Sequence, residues 1–226
     1  MNAIDIKNVE FSYSTEPEKT ILNITHWSVK QGEQMLIHGY SGSGKSTLLD
    51  LVCGISLPNT GSVCVLGEQL NKLNSRQRDK YRALHIGYIF QRFNLIEYLN
   101  AIDNIKLAHH FASKANSSAL INHIKELLTT LNVDSADWYR PISQLSVGQQ
   151  QRVGIARALI NKPRLIIADE PTSSLDQTAI ENFMSLLISI CEKQGTTLLF
   201  VSHDLSLKKY FNSSLALSDI NQLKSN

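Results

Sequence analysis

Cysteine is scarce in this chain: Cys53, Cys64 and Cys191 are the three present, and their wide spacing excludes both a disulfide framework and a paired metal-binding motif. They read as small buried hydrophobes in a reducing compartment. An excess of one charge is lacking too. Against 22 basic residues stand 20 acidic ones, and the net +2 at pH 7 gives no electrostatic case for nucleic acid as the principal partner. The densest basic stretch, 76–82, contains Asp79 and reads as a solvated helix face. No apolar run approaches the ~18 residues that span a bilayer, and Met1-Asn2-Ala3-Ile4-Asp5 has neither the charged nor the apolar region of a signal peptide. The expectation is a cytosolic protein that reaches any membrane through a partner. Internal repeats and low-complexity linkers are missing as well. At 226 residues, 42% hydrophobic and 19% charged, the chain suffices for one large α/β domain or a core with a helical insert.

Glycine disappears between 101 and 132, where Leu120, Ile121, Ile124, Leu127, Leu128 and Leu131 recur at helical spacing and predict a helical subdomain. Upstream, residues 3–9 and 21–29 alternate partly between apolar and polar and predict antiparallel strands. Strands are expected at Gln34–His38, 62–66 and 86–90, with a polar helix at about 75–84. After Gly148 a helix runs to Asn161. The apolar runs 165–168 and 197–201 flank a helix at about 178–193 and have the texture of a parallel sheet buried on both faces. One last strand is expected at 214–218.

The stretch Gly39-Tyr40-Ser41-Gly42-Ser43-Gly44-Lys45-Ser46 fits the phosphate-loop pattern G-x-x-x-x-G-K-[ST], with an expected strand before it and a helix opening at Thr47. Its glycines let the backbone turn with N–H groups pointing inward around a triphosphate, and the helix offers its positive end to the same anion. Lys45 would reach the terminal phosphates and the Ser46 hydroxyl a magnesium ion. The apolar run 165–168 ends in Asp169-Glu170, two carboxylates at the C-terminal edge of a buried sheet, where open α/β folds bind ligands. Asp169 suits the magnesium shell opposite Ser46, and Glu170 the general base that polarises water. Taken alone, the pair is equally an exposed acidic turn before Pro171.

Leu145-Ser146-Val147-Gly148-Gln149-Gln150-Gln151-Arg152, read with the phosphate loop and Asp169-Glu170, resembles the signature of ABC-type ATPases across essentially the whole chain. The resemblance implies an α/β P-loop ATPase with a mixed sheet core, N-terminal antiparallel strands and a helical subdomain. As a single domain, 1–226, it divides into a core of about 1–90 and 160–226 and a helical part of about 91–159. It also implies ATP and Mg²⁺ as cofactors, with Gly39 through Thr47 around the phosphates. In the family, Ser146, Gly148 and Gln149 of one subunit cap the nucleotide held by another, so a homodimer sandwiches two ATP molecules. Tyr13 matches the aromatic that stacks on adenine, although Phe11 and Tyr13 are also what a strand packing on a sheet would carry. Gln91 matches the glutamine that senses magnesium and the attacking water. Ser173-Ser174-Leu175-Asp176 matches the segment that contacts the opposite subunit, and His203 the switch histidine. As a neutral imidazole, His203 could hydrogen-bond a phosphate oxygen and hold Glu170 in place.

Phe90-Gln91-Arg92-Phe93-Asn94-Leu95-Ile96 and the signature are most similar to the ATPases of lipoprotein-releasing, macrolide-exporting and cell-division systems. That similarity implies a separate membrane permease as partner, no nucleic acid, and a location on the inner face of a bacterial membrane. Phe93, Leu95, Ile96, Tyr98 and Leu99 would line the groove for the permease's cytoplasmic helix, or else pack the helical part. The alternative within the same family is a regulator that passes ATP-driven force to a membrane or periplasmic partner without transporting anything. Val147 stands where the family most often has glycine, and as a β-branched residue it should sit at negative φ.

Overall fold

The protein is described from a computed structural model covering residues 1–112 and 118–223. In chain order the elements are β1 (Asn2–Ser12), β2 (Thr20–Lys30), β3 (Gln34–His38), α1 (Lys45–Val52), β4 (Thr60–Val65), β5 (Glu68–Gln69), α2 (Ser75–His85) and β6 (Ile86–Ile89). They continue with α3 (Ala101–Ala112), α4 (Ser118–Thr130), α5 (Val147–Leu159), β7 (Leu165–Asp169), α6 (Gln177–Gln194), β8 (Thr197–Ser202), β9 (Ser213–Ala216) and α7 (Leu217–Ile220). The antiparallel and parallel strands lie in separate sheets. One runs β2-β1-β4-β5, wholly antiparallel, and the other β6-β7-β8-β3-β9, wholly parallel.

The parallel sheet is buried on both faces, and the period of two along its strands divides the core. Leu36, Ile166, Ala168, Leu198 and Phe200 face a cluster shared with α3, α4, α5 and α6. Ile37, Leu165, Ile167, Leu199 and Val201 face the opposite cluster, filled by α1 and the antiparallel sheet. The helical spacing read around 120–131 is the buried stripe of α4: Leu120, Ile124 and Leu128, with Leu131 just past the helix end, are all in the first cluster. Cys53 and Cys191 are buried and Cys64 half-buried, all three as free thiols.

Local chemistry fixes the helix ends. Asn74 and Gln77 form a capping box at the start of α2, while Asp176 caps α6, which stops at Gly195 in the left-handed region, φ 62°. The expected strand at 214–218 ends earlier: residues 213–216 pair with β3, and Leu217, fully buried, begins α7.

Gly87 sets how closely α5 approaches the sheet. A Cβ there would lie 2.5 Å from the Ala158 carbonyl oxygen and 3.0 Å from Pro163 Cγ, and the first of these is backbone that cannot rotate away. Gly87→Ala is expected to destabilise the fold by about 1–3 kcal/mol through overpacking, read as a lower urea midpoint at unchanged slope.

Candidate active site

The phosphate loop hangs between β3, which lies between β8 and β9 in the parallel sheet, and α1. Gly42 and Gly44 are left-handed, at φ 78° and 99°, as the tight turn requires. No side chain caps α1 and its first turn holds no acidic residue, so its leading N–H groups are left for an anion. Lys45, only 6% exposed, folds back so that Nζ donates to the Gly39 and Tyr40 carbonyls at 2.8 Å each. Its charge is offset by Glu170, whose Oε1 lies 3.5 Å away. Among the described residues Ser43 Oγ is buried without a hydrogen-bond partner, and a Cβ on Gly42 would meet nothing within 4 Å. An open glycine turn, an orphaned hydroxyl, an uncapped helix and a buried ammonium form a donor set that fits a polyphosphate.

Phe11 and Tyr13 separate cleanly. Phe11 is buried in the core; Tyr13 follows the end of β1, is 41% exposed and shares a 2.9 Å hydrogen bond with the Thr47 hydroxyl. The tyrosine ring therefore stands at the lip of the loop and Phe11 supports it edge-on, 5.0 Å between centroids. Ser46 is exposed on the first turn of α1, and Tyr40 is 91% exposed.

β7 and β8 are neighbours, and this register brings Glu170 and His203 to one sheet edge. His203 Nδ1 lies 2.7 Å from Glu170 Oε2, so one carboxylate bridges His203 and Lys45. Glu170 sits at φ 46°, a left-handed conformation costly for a side chain with a Cβ, and its N–H donates to the Val201 carbonyl at 2.9 Å. The His203 Nδ1–H is the donor to the carboxylate, so donation from Nε2 to a phosphate oxygen at the same time needs a doubly protonated ring rather than a neutral one.

Asp169 is half-buried, and burial raises its pKa; a 3.2 Å hydrogen bond from the Tyr88 hydroxyl opposes the rise, the Glu170 charge adds to it, and Lys45 opposes it. Burial likewise raises Asp50, with the charge of Asp169 adding to the effect. Gln91 is exposed and its Nε2 donates to the Ser173 hydroxyl at 3.0 Å, while the Ser173 N–H donates to the Glu170 carbonyl at 3.2 Å. Gln91 thus reaches the carboxylate edge through Ser173 rather than by touching Asp169.

Ser146 caps α5 through a capping box: its Oγ accepts from the Gln149 N–H at 3.3 Å, and its own N–H donates to Gln149 Oε1 at 2.7 Å. Gln149 Nε2 also donates to Asp137, which pairs with Arg140 at 2.8 Å. Val147 is the first residue of α5 and is absent from the positive-φ residues. A Cβ on Gly148 would meet nothing within 4 Å. Among the described residues no hydrogen bond joins Ser146, Gly148 or Gln149 to the phosphate loop; the side-chain bonds of Ser146 and Gln149 stay within their own turn and reach Asp137.

Three residues outside the sequence expectations bear on this edge: Tyr88, Arg157 and Asp50. Arg157, pushed down to about 10 by burial, donates to the Phe93 and Asn94 carbonyls at 2.5 Å each and lies 5.6 Å over the Phe90 ring. Beside it opens a cleft of about 1080 Å³, lined by Ile55, Arg76, Tyr88, Phe90, Phe111 and Arg157 among others.

A phosphate loop following β3, with a carboxylate pair ending the next strand but one, β7, defines a P-loop nucleotide-hydrolysing cassette. The family model described as ABC transporter matches residues 22–173, and the chain belongs to that family. It is 38% identical over 207 residues to the uncharacterized ABC transporter ATP-binding protein YbbA of Escherichia coli K12, covering 91% of this chain and 90% of YbbA. To the macrolide export ATP-binding/permease protein MacB of Photorhabdus laumondii it is 40% identical over 206 residues, spanning 90% of this chain but 31% of MacB. The dimeric structure of a post-hydrolysis state of the ATP-binding cassette MJ0796 bound to ADP and Pi superposes with a TM-score of 0.85 at 35% identity, covering 96% of this chain and 94% of that one. The chain is an ATP-binding cassette that hydrolyses ATP.

Proposed function

We propose that this cassette is the ATP-binding subunit of a transporter in which two copies close head to tail on two ATP molecules and drive a separate membrane permease from the inner face of the membrane. The observation that carries this reading is the division of the site: among the described residues no hydrogen bond joins Ser146 or Gly148 to the phosphate loop, and a Cβ on Gly148 would meet nothing within 4 Å. Residues of about 91–159 act as the helical part, and about 1–90 and 160–226 as the core.

In this reading Tyr13 stacks on adenine, Gly39 through Thr47 wrap the phosphates, and Lys45 leaves the Gly39 and Tyr40 carbonyls for the terminal phosphates. Ser46, Asp169 and Gln91 hold a magnesium ion, which when bound offsets the phosphate charge. Glu170 takes a proton from the water whose oxygen bonds the terminal phosphorus as the bond to ADP breaks. His203 holds Glu170 in place. Ser146, Gly148 and Gln149 of the opposing copy donate to the terminal phosphate.

The cleft beside Phe90 is the docking place for the permease. Phe93 is buried and Leu95 packs on the core, whereas Tyr98 is 80% exposed and Ile96 and Leu99 are half-buried, so of the apolar residues between 93 and 99 Tyr98 offers a partner the most surface. In the cleft, Ile55 and Phe111 are 55% and 69% exposed. Arg76, Lys80, Arg82 and Arg157 outnumber Asp50 and Asp79 along its walls, which suits a cytoplasmic permease helix carrying both apolar and acidic residues. Phe111→Glu is expected to abolish copurification of the permease from detergent-solubilised membranes, because it buries a carboxylate in the apolar part of the contact. ATP affinity should stay unchanged, since Phe111 is exposed and outside the phosphate loop. Loss of both together would mean misfolding and would remove the docking role. A copurified partner with no transported molecule would favour the force-transmitting regulator.

A further inference from the structure

The cleft and the carboxylate edge share one side chain. β6 is the edge strand of the parallel sheet, and its register sets Tyr88 opposite Ile167. Asp169, two residues on, is therefore a diagonal neighbour of Tyr88 on the same face. The tyrosine hydroxyl donates to Asp169 Oδ2 at 3.2 Å, while the ring lines the cleft. That ring lies tilted on Phe90, 4.3 Å between centroids, and Phe90 in turn lies under Arg157. Arg157 fastens the Phe93 and Asn94 carbonyls, two consecutive residues held in the left-handed region at φ 49° and 50°. A phenylalanine at 88 would fill the same space and carry no hydroxyl needing a partner. The tyrosine instead fixes one oxygen of the carboxylate, Oδ2.

We propose that Tyr88 is a positioning residue, whose hydroxyl orients Asp169 toward magnesium and whose ring passes the filling of the cleft to that carboxylate. The inference rests on the reading of Asp169 and of the cleft given above. Hydrogen-bond partners of metal ligands typically change metal affinity by about 10–100-fold when removed.

The test uses the full chain and Mn²⁺ as probe, with affinity measured by electron paramagnetic resonance in the presence of a non-hydrolysable ATP analogue. Tyr88→Phe should weaken Mn²⁺ binding by about 10-fold and leave metal-free ADP affinity unchanged, and Asp169→Asn should weaken Mn²⁺ at least as much. Ile55→Cys in a Cys64→Ser background, labelled with a bulky aromatic maleimide, fills the cleft. The label should shift Mn²⁺ affinity several-fold, and the shift should vanish when Tyr88→Phe is added. Unchanged Mn²⁺ binding in Tyr88→Phe alongside a loss in Asp169→Asn would overturn the positioning role alone. Unchanged binding in Asp169→Asn would overturn the metal reading beneath it. A label effect that survives Tyr88→Phe would overturn the link from the cleft, and a parallel loss of metal-free ADP binding would replace positioning by a folding defect.

Discussion

Glu170→Gln is expected to slow ATP hydrolysis by on the order of 10²-fold or more while ATP still binds. The amide keeps the size of the carboxylate and an oxygen for the His203 Nδ1–H, now 2.7 Å from Oε2, so the edge should hold its shape. What it loses is the ability to take a proton from water. Lys45 loses its charged neighbour at 3.5 Å but keeps the Gly39 and Tyr40 carbonyls, so the phosphate cradle survives. The left-handed backbone at Glu170, φ 46°, belongs to the strand-to-loop turn and is unchanged by the substitution. Lys45→Ala should behave in the opposite way and weaken binding itself, because it removes the buried cation of the cradle. Phosphate release and nucleotide titration on both variants separate the two effects. Wild-type turnover in Glu170→Gln would assign the base to another residue.

What could be read from the sequence was contiguous. The phosphate loop carries its turn glycines, its lysine and its helix start within eight positions, and each is local backbone chemistry. Asp169-Glu170 at the end of an apolar strand and Ser146 as a cap with Gln149 three residues on are of the same kind. Tyr88 and Asp169 lie 81 positions apart, and their meeting depends on the strand order and on parallel register, which no local pattern encodes. The cleft was harder still. Ile55 follows α1 and Phe111 lies at the end of α3, whereas the apolar residues of the run at 93–99 stand together within seven positions, broken only by Asn94 and Glu97. That run turns inward at Phe93, whose left-handed conformation is unusual for a bulky residue and is held by Arg157, an arginine on a helix expected only from its cap. Arginine is rarely buried, so composition offered no hint that this one closes a turn.

Assembly follows from the division of the site, and the expected result is a nucleotide-dependent dimer. The isolated chain should be largely monomeric, and Glu170→Gln should dimerise with Mg²⁺ and ATP but not with ADP. Ser146 Oγ accepts the Gln149 N–H at 3.3 Å, which leaves its own O–H to donate outward. The Gly148 N–H lies in the first turn of α5, at the positive end of a 13-residue helix with no acidic residue in that turn. Beside Gly148 there is open space, since a Cβ there would touch nothing among the described residues. In one chain the two donors have no anion to meet, and the phosphate loop has no cap. Two chains antiparallel to one another supply both deficits twice, and the terminal phosphate of ATP is the group that ADP lacks. Ser146→Ala removes a donor and a cap and should cost about 1 kcal/mol. Ser146→Arg instead places a long side chain in the contact and should keep Glu170→Gln monomeric with ATP. Light scattering with each nucleotide is the measurement. A dimer that forms equally with ADP, or that tolerates Ser146→Arg, would remove the sandwich and leave Ser146 as nothing more than a helix cap, because the capping box is complete within one chain.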